Sequence, residues 1–174
     1  SRAKRCIISR QGTPDRYNIS MSSPTVSPGH QPPKVYRAMK RDPSDNLPVV
    51  GSTSSSELGA RPGVDITIDA AGSVVLDASG MSVAPCWRDL DFTRIPRRLR
   101  HIVPGATGAN STSCFTLGAG PFHRGIIASR LELIPDQGQA LVTHGVVAPM
   151  QVVARAQYQA DLENTRAEWQ IDEK

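Results

Sequence analysis

Three polar residues stand in short segments whose other side chains are mostly apolar. Arg37 lies in the β-prone segment 34–39, Ser82 lies in segment 81–84, and His144 directly precedes a glycine. A guanidinium binds phosphate or carboxylate groups, a hydroxyl orients a ligand, and an imidazole moves a proton or donates a hydrogen bond. Each residue also has an ordinary structural explanation: an exposed strand arginine, a serine bonded to backbone, and a histidine at a turn.

A carboxylate is the group that this set lacks. Glu132 is a candidate, because it lies between Leu131 and Leu133 in a segment that alternates like a strand. Its side chain could enter a cleft or remain in solvent. The chemistry therefore depends on which elements carry these residues and how those elements are arranged.

Short strands and many turns are the elements that the composition favours, since the chain holds 14 glycines and 14 prolines. Segment 34–39 is predicted to be the first strand of the domain, and residues 41–63 are predicted to form a long loop. Pro96 is expected to open a short helix. Further strands are predicted over 64–68, 74–76, 81–84, 113–117, 129–134 and 140–147.

A helix is predicted from about Val153 onward, where the apolar period changes to that of a helix. The stripe that should face the core consists of Tyr158, Leu162, Thr165 and Trp169. Other faces are predicted to carry Asp161, Glu163, Arg166 and Glu168. Strands followed by one packed helix predict a mixed α+β domain.

The charge of the chain divides it into two parts. The formal net charge of +4 lies entirely in residues 1–33, because residues 34–174 hold equal numbers of basic and acidic side chains. Residues 1–33 are predicted to be a basic extended arm, and 34–174 the folded domain. The residues of the arm that could bind RNA or another anion are Arg2, Lys4, Arg5, Arg10 and Arg16.

Several classes of site are not supported by the motifs. The cysteines and histidines show no metal-ligand spacing, so no metal is expected. Segment 104–108 lacks the lysine of a phosphate-binding loop, and the glycines at 118 and 120 are followed by a proline rather than a helix. No apolar run is long enough to span a membrane.

A family resemblance adds to these observations. The segments that carry it are Tyr36-Arg37-Ala38, residues 60–66, Gly80-Met81-Ser82-Val83, Thr143-His144-Gly145 and the closing helix. In this order and spacing, over roughly residues 34–174, they resemble the Tse-two-like toxins, which are effectors of bacterial type VI secretion with relatives encoded in fungi. The resemblance implies an ADP-ribosyltransferase-like fold, in which two small sheets form a split cleft and a C-terminal helix packs alongside.

The resemblance also implies an activity and a site. NAD would be bound by Arg37, Tyr36 and Ser82, and His144 together with Ser82 would complete the catalytic site. ADP-ribose would pass to a macromolecular acceptor such as a component of protein synthesis. The chain departs from classical ADP-ribosyltransferases, because no Glu-x-Glu or Gln-x-Glu pair lies near its last predicted strands. Catalytic activity is therefore left open.

The alternative belongs to another class of protein. The same domain could be a non-catalytic RNA-associated subunit of a large assembly such as a fungal mitochondrial ribosome, with residues 1–33 contacting rRNA and neighbouring subunits. The arm is rich in Arg and Ser and nearly free of acids, as transit peptides are. If it is the remnant of one, the mitochondrial matrix is expected; otherwise the cytosol of a target cell is expected.

Overall fold

Two antiparallel sheets and one α-helix make up the part of the chain described by the computed structural model, which is Gly29 and residues 31–174. The basic residues predicted to bind RNA, from Arg2 to Arg16, lie outside it. The elements are β1 (Val35–Lys40), β2 (Met81–Val83), β3 (Thr112–Leu117), β4 (Gly125–Ala128), β5 (Leu131–Pro135), β6 (Gly145–Pro149), α1 (Arg155–Glu163) and β7 (Gln170–Ile171). The predicted α+β class is confirmed.

The sheets meet where β1 passes the end of β2. One sheet has the strand order β1-β3-β7 and the other has the order β2-β6-β5-β4, with antiparallel pairing throughout. Tyr36 and Ala84 exchange two backbone hydrogen bonds of 2.8 and 2.9 Å, which link β1 to the residue that follows β2. The two sheets are therefore joined at one corner and open into a cleft beside it.

Strand β1 is buried on both faces, because each face packs on a different apolar cluster. Val35 and Met39 belong to the larger cluster between the sheets and α1, whereas Tyr36 belongs to a second cluster around Trp87. Side chains alternate along a strand, so Arg37 lies on the same face as Val35 and Met39. This alternation places a guanidinium at the edge of the main core.

The predicted burial of the stripe residues is confirmed, since each is at most 2 % exposed. The predicted helix is longer than the observed one, because α1 ends at Glu163 and Thr165 and Trp169 lie after it. The Tyr158 hydroxyl donates to Val147 O (2.6 Å) and accepts from Met81 N (3.1 Å), so it ties α1 to both β2 and β6. The prediction for Asp161 was wrong. Its side chain is buried and accepts a hydrogen bond of 2.6 Å from Arg130, a residue 31 positions away that the helical pattern could not reveal.

Some strand predictions were also wrong. Residues 64–68 form a turn and isolated bridges, because three successive backbone N–H groups donate to Arg61 O. Residues 74–76 make only an isolated bridge, and the strand predicted over 140–147 begins at Gly145. Strands β4 and β7 were not predicted. A short 3-10 helix, Arg97–Leu99, does follow Pro96 as expected.

None of the described helices has the length and apolar character needed to cross a membrane.

Candidate functional site

A cleft of about 430 Å³ at the corner between the sheets brings three of the predicted residues together: Arg37, Ser82 and His144. Its wall also includes residues that the sequence reasoning did not place in a site, namely Asp89, Leu90, Asp91 and Arg94. Ala38, Val83 and Ala84 add apolar surface. The volume is in the range of small-molecule sites, and the wall combines several polar side chains with apolar surface.

Arg37 is a buried cation that ties the wall of the cleft together. Its guanidinium donates to Ser82 O (2.7 Å) on β2 and to Ser55 O (2.9 Å) and Glu57 O (3.3 Å) on the loop before it. Burial lowers the pKa of Arg37 to about 10, and the nearby Asp65 carboxylate opposes that shift. The side chain therefore remains charged at neutral pH, although most of its nitrogens are committed to backbone carbonyls.

Arg94 is a second cation of the cleft. Its guanidinium donates to Ser55 O at 3.2 Å, which is the same carbonyl that Arg37 contacts. Within residues 31–174 it forms no ion pair. Two positive groups thus share one carbonyl without a carboxylate bonded to either, and the charge of Arg94 is one of the causes that lower the pKa of Arg37, after burial. An anionic ligand would relieve this repulsion.

Asp65 supports this arrangement. Burial alone would raise the pKa of its carboxyl, but hydrogen bonds from Arg61 outweigh that effect and lower it. Arg61 donates to Asp65 from its backbone N and from its guanidinium, at 2.8 and 2.9 Å. The ionised carboxylate closes the turn over 61–65 and favours the charged form of Arg37 from a distance.

Ser82 lies on the cleft face of β2, because its neighbours Met81 and Val83 point into the core. Its hydroxyl makes no hydrogen bond to a described residue, so it is open to a ligand. Gly80 before it has no room for a Cβ, since Val147 O occupies that position. The glycine therefore allows β2 to approach β6 closely, and this approach fixes the position of Ser82 in the wall of the cleft.

His144 stands diagonally across from Ser82 at the start of β6. Ser82 is paired with Val146, and His144 lies two residues before Val146, a relationship that separates backbones by about 7–8 Å in antiparallel strands. The His144 Nδ1 atom lies 2.9 Å from the Asp136 carboxylate. This contact favours the tautomer with its proton on Nδ1, which leaves Nε2 able to accept a proton.

Two carboxylates of the cleft come from the loop after β2. Asp91 accepts hydrogen bonds from Thr93 Oγ1 and N, which lower its pKa and commit it to its own turn. Asp89 makes no side-chain hydrogen bond to any described residue. Asp89 is therefore the carboxylate that remains available to a ligand. In the sequence, the only signal for this residue is the acidic pair Asp89 and Asp91.

Two residues considered as site candidates lie elsewhere. The Tyr36 side chain points away from the cleft, and its hydroxyl donates to Asp172 at 2.7 Å. Alternation along β1 explains this placement, since Tyr36 and Arg37 must face opposite sides. Glu132 is bonded to Arg124 through two hydrogen bonds of 2.9 and 3.0 Å and does not line the cleft.

Neither a metal-binding cluster nor a reactive Cys114 thiol is found in the described part of the chain. Residues 31–174 contain no group of three or more His, Cys, Asp or Glu side chains arranged to hold a metal ion. Burial raises the pKa of the Cys114 thiol to about 12, which keeps it protonated and unreactive at neutral pH.

Comparisons with protein-family models, with curated proteins and with solved structures give no match for this chain.

Proposed function

We propose that this cleft binds NAD and that the protein is an ADP-ribosyltransferase-like member of the Tse-two-like toxins. The observation that carries the proposal is the pair of guanidiniums, Arg37 and Arg94, that share Ser55 O beside an open serine hydroxyl. A pyrophosphate suits this pair because it brings negative charge to two unneutralised cations. Two antiparallel sheets with one packed helix support the proposal at the level of fold class.

The two arginines have different roles in this proposal. Arg94 would contact the pyrophosphate, since it retains donors that no described residue uses. Arg37 is only 3 % exposed, so it would act mainly by holding Ser82 in place and by adding positive charge behind the wall. This differs from the direct contact expected from the resemblance.

The reaction would break the bond between nicotinamide and ribose through a transition state that resembles an oxocarbenium ion. The Ser82 hydroxyl would orient the ribose, and the Asp89 carboxylate would stabilise the developing positive charge. His144, held by Asp136, would accept the proton of the acceptor nucleophile as its bond to the ribose forms. Nicotinamide leaves with the electrons of the broken bond, and His144 then releases its proton to solvent.

A second function is favoured by two observations. The guanidinium of Arg37, the most buried cation of the cleft, donates its hydrogen bonds to backbone carbonyls. Glu132, the one glutamate of β5, is bonded to Arg124 and does not line the cleft. Both facts suit a non-catalytic subunit of an RNA–protein assembly that retains the fold.

The experiment that separates the two incubates the protein with NAD labelled in the adenosine portion and with a cell lysate. Released nicotinamide and a labelled macromolecule are expected for the wild-type protein. Asp89→Asn should lower the release by about 100-fold, whereas Glu132→Gln, which removes a carboxylate outside the cleft, should not change it. Absence of release and of labelled product from the wild-type protein would overturn the transferase proposal.

A further inference from the structure

A second cavity of about 310 Å³ shares no lining residue with the NAD cleft. Arg97 and Arg100 line it together with the turn of Gly105, Ala106 and Thr107. This surface, residues 92 and 97–107, is called the arginine face below. Neither the proposed reaction nor the family resemblance uses it.

The two arginines of this face are not neutralised. Arg97 and Arg100 are exposed, and neither forms an ion pair with any residue of the described 31–174 segment. Arg100 Nε donates to the backbone carbonyl of Arg97 at 3.3 Å, which holds the Arg100 side chain against the turn that carries Arg97. Arg98, by contrast, is bonded to Glu173 at 2.6 Å and is therefore committed to the fold.

The surroundings concentrate positive charge. Segment 88–100 contains five arginines and two aspartates, although residues 34–174 as a whole are balanced. One of the two aspartates, Asp91, is held by its own turn. A local excess of unpaired guanidiniums on a neutral body is expected to attract a polyanion to this face rather than to the whole surface.

An exposed aromatic ring adjoins the same cavity. Phe92 is 54 % exposed, and its ring lies over Gly105, where an added Cβ would be 3.5 Å from Phe92 Cδ2. Gly105 has a φ of +96°, which glycine adopts without strain. Phe92 O accepts a hydrogen bond of 2.9 Å from Thr107 N, so the backbone beneath the ring is fixed.

We propose that the arginine face binds single-stranded nucleic acid, with phosphates on Arg97 and Arg100 and one base stacked on Phe92. A fixed, exposed ring beside unpaired guanidiniums matches the two contacts that single strands use, namely stacking and phosphate neutralisation. A duplex keeps its base faces covered and cannot use the ring. An acidic peptide would use the charges but gain little from an aromatic face.

The test measures binding of a fluorescent 12-nucleotide oligouridine to the full chain by anisotropy across a salt series, without NAD. Arg97→Gln combined with Arg100→Gln should weaken binding at least tenfold and make the slope of log K against log salt shallower by about 1.4. The matched control, Arg41→Gln with Arg155→Gln, removes the same charge from exposed arginines that form no ion pair with a described residue, and it should change neither quantity comparably. The basic residues 1–33 are present in every variant, so their contribution cancels.

Phe92→Leu separates stacking from charge. It should weaken oligouridine binding roughly tenfold while leaving the salt slope unchanged. Thermal melting confirms that each variant is folded, as expected for substitutions at exposed positions. Equal oligouridine affinity for the wild type and the double arginine variant would overturn the proposal. An unchanged affinity of Phe92→Leu, or equally tight binding of a duplex of the same length, would overturn it as well, and the result of the NAD experiment bears on neither outcome.

Discussion

Arg37 and Arg94 donate to the same carbonyl oxygen, that of Ser55, at 2.9 and 3.2 Å. They reach it from β1 and from the loop after β2, which are far apart along the chain. Neither cation is bonded to a carboxylate within the described residues. The proposals for ligand, orientation and chemistry all start from it.

Arg37→Lys is expected to destabilise the domain by about 2–5 kcal/mol, although it keeps the charge. A lysine ammonium cannot reach Ser82 O, Ser55 O and Glu57 O together as the planar guanidinium does. Each buried carbonyl left without a donor costs about 1–3 kcal/mol. Urea denaturation measures the loss, with Arg41→Lys as the control at an exposed site. Equal midpoints for the two variants would show that Arg37 does not hold the wall of the cleft.

Trp169→Ala is expected to lower stability by about 3–5 kcal/mol, because its ring is 2 % exposed in the main core. Its indole N–H also donates to Thr165 Oγ1 at 3.0 Å, so the hydroxyl loses a partner. Thermal melting provides the measurement, and Gln170→Ala, at the exposed next position, is the control. A melting temperature unchanged from wild type would mean that the end of the chain does not pack on the core.

Tyr36→Phe is expected to make stability less sensitive to acid. The hydrogen bond from the Tyr36 hydroxyl is the largest cause that lowers the pKa of Asp172 below 3.8. Its contribution, roughly 1–2 kcal/mol, is present above the unfolded pKa and is lost as the pH falls through the lower folded pKa. The stability difference between wild type and variant should therefore be full at pH 7 and shrink below about pH 4.

Urea denaturation at a series of pH values measures this difference. Tyr158→Phe is the matched control, since the Tyr158 hydroxyl bonds only the backbone groups of Val147 and Met81. Its stability difference should stay constant over the same acid range. A constant difference for Tyr36→Phe would contradict the assigned role of Asp172.

The sequence predicted those parts of the fold that depend on local periodicity. The stripe of Tyr158, Leu162 and Trp169 and the alternation of β1 depend on residues close together in the chain, so patterns reveal them. Asp161 was misplaced because its burial depends on Arg130, which a helical period cannot include. The strand predicted over 64–68 does not form, because backbone N–H groups of this segment donate to Arg61 O, and side-chain hydrophobicity gives no sign of that contact.

The site could be predicted only in part, for a related reason. Arg37, Ser82 and His144 were singled out by short motifs on strands, and the structure brings them to one cleft. Asp89 and Arg94 come from an irregular loop, where no period indicates which side chains turn inward. Whether Arg37 is free or bonded depends on the carbonyls of the loop 52–60, which only the folded chain positions.

The central claim is that the cleft binds NAD with Arg94 on the pyrophosphate and Arg37 adding positive charge behind the wall, and calorimetric titration of NAD into the full chain tests it most directly. Wild type and Arg124→Gln should bind one NAD with equal affinity, and Arg94→Gln should bind it about 10- to 100-fold more weakly, since it loses a charge-assisted contact. ADP-ribose should compete with NAD, whereas nicotinamide alone should not. No measurable binding of NAD to the folded wild type, or equal binding by Arg94→Gln, would contradict the account.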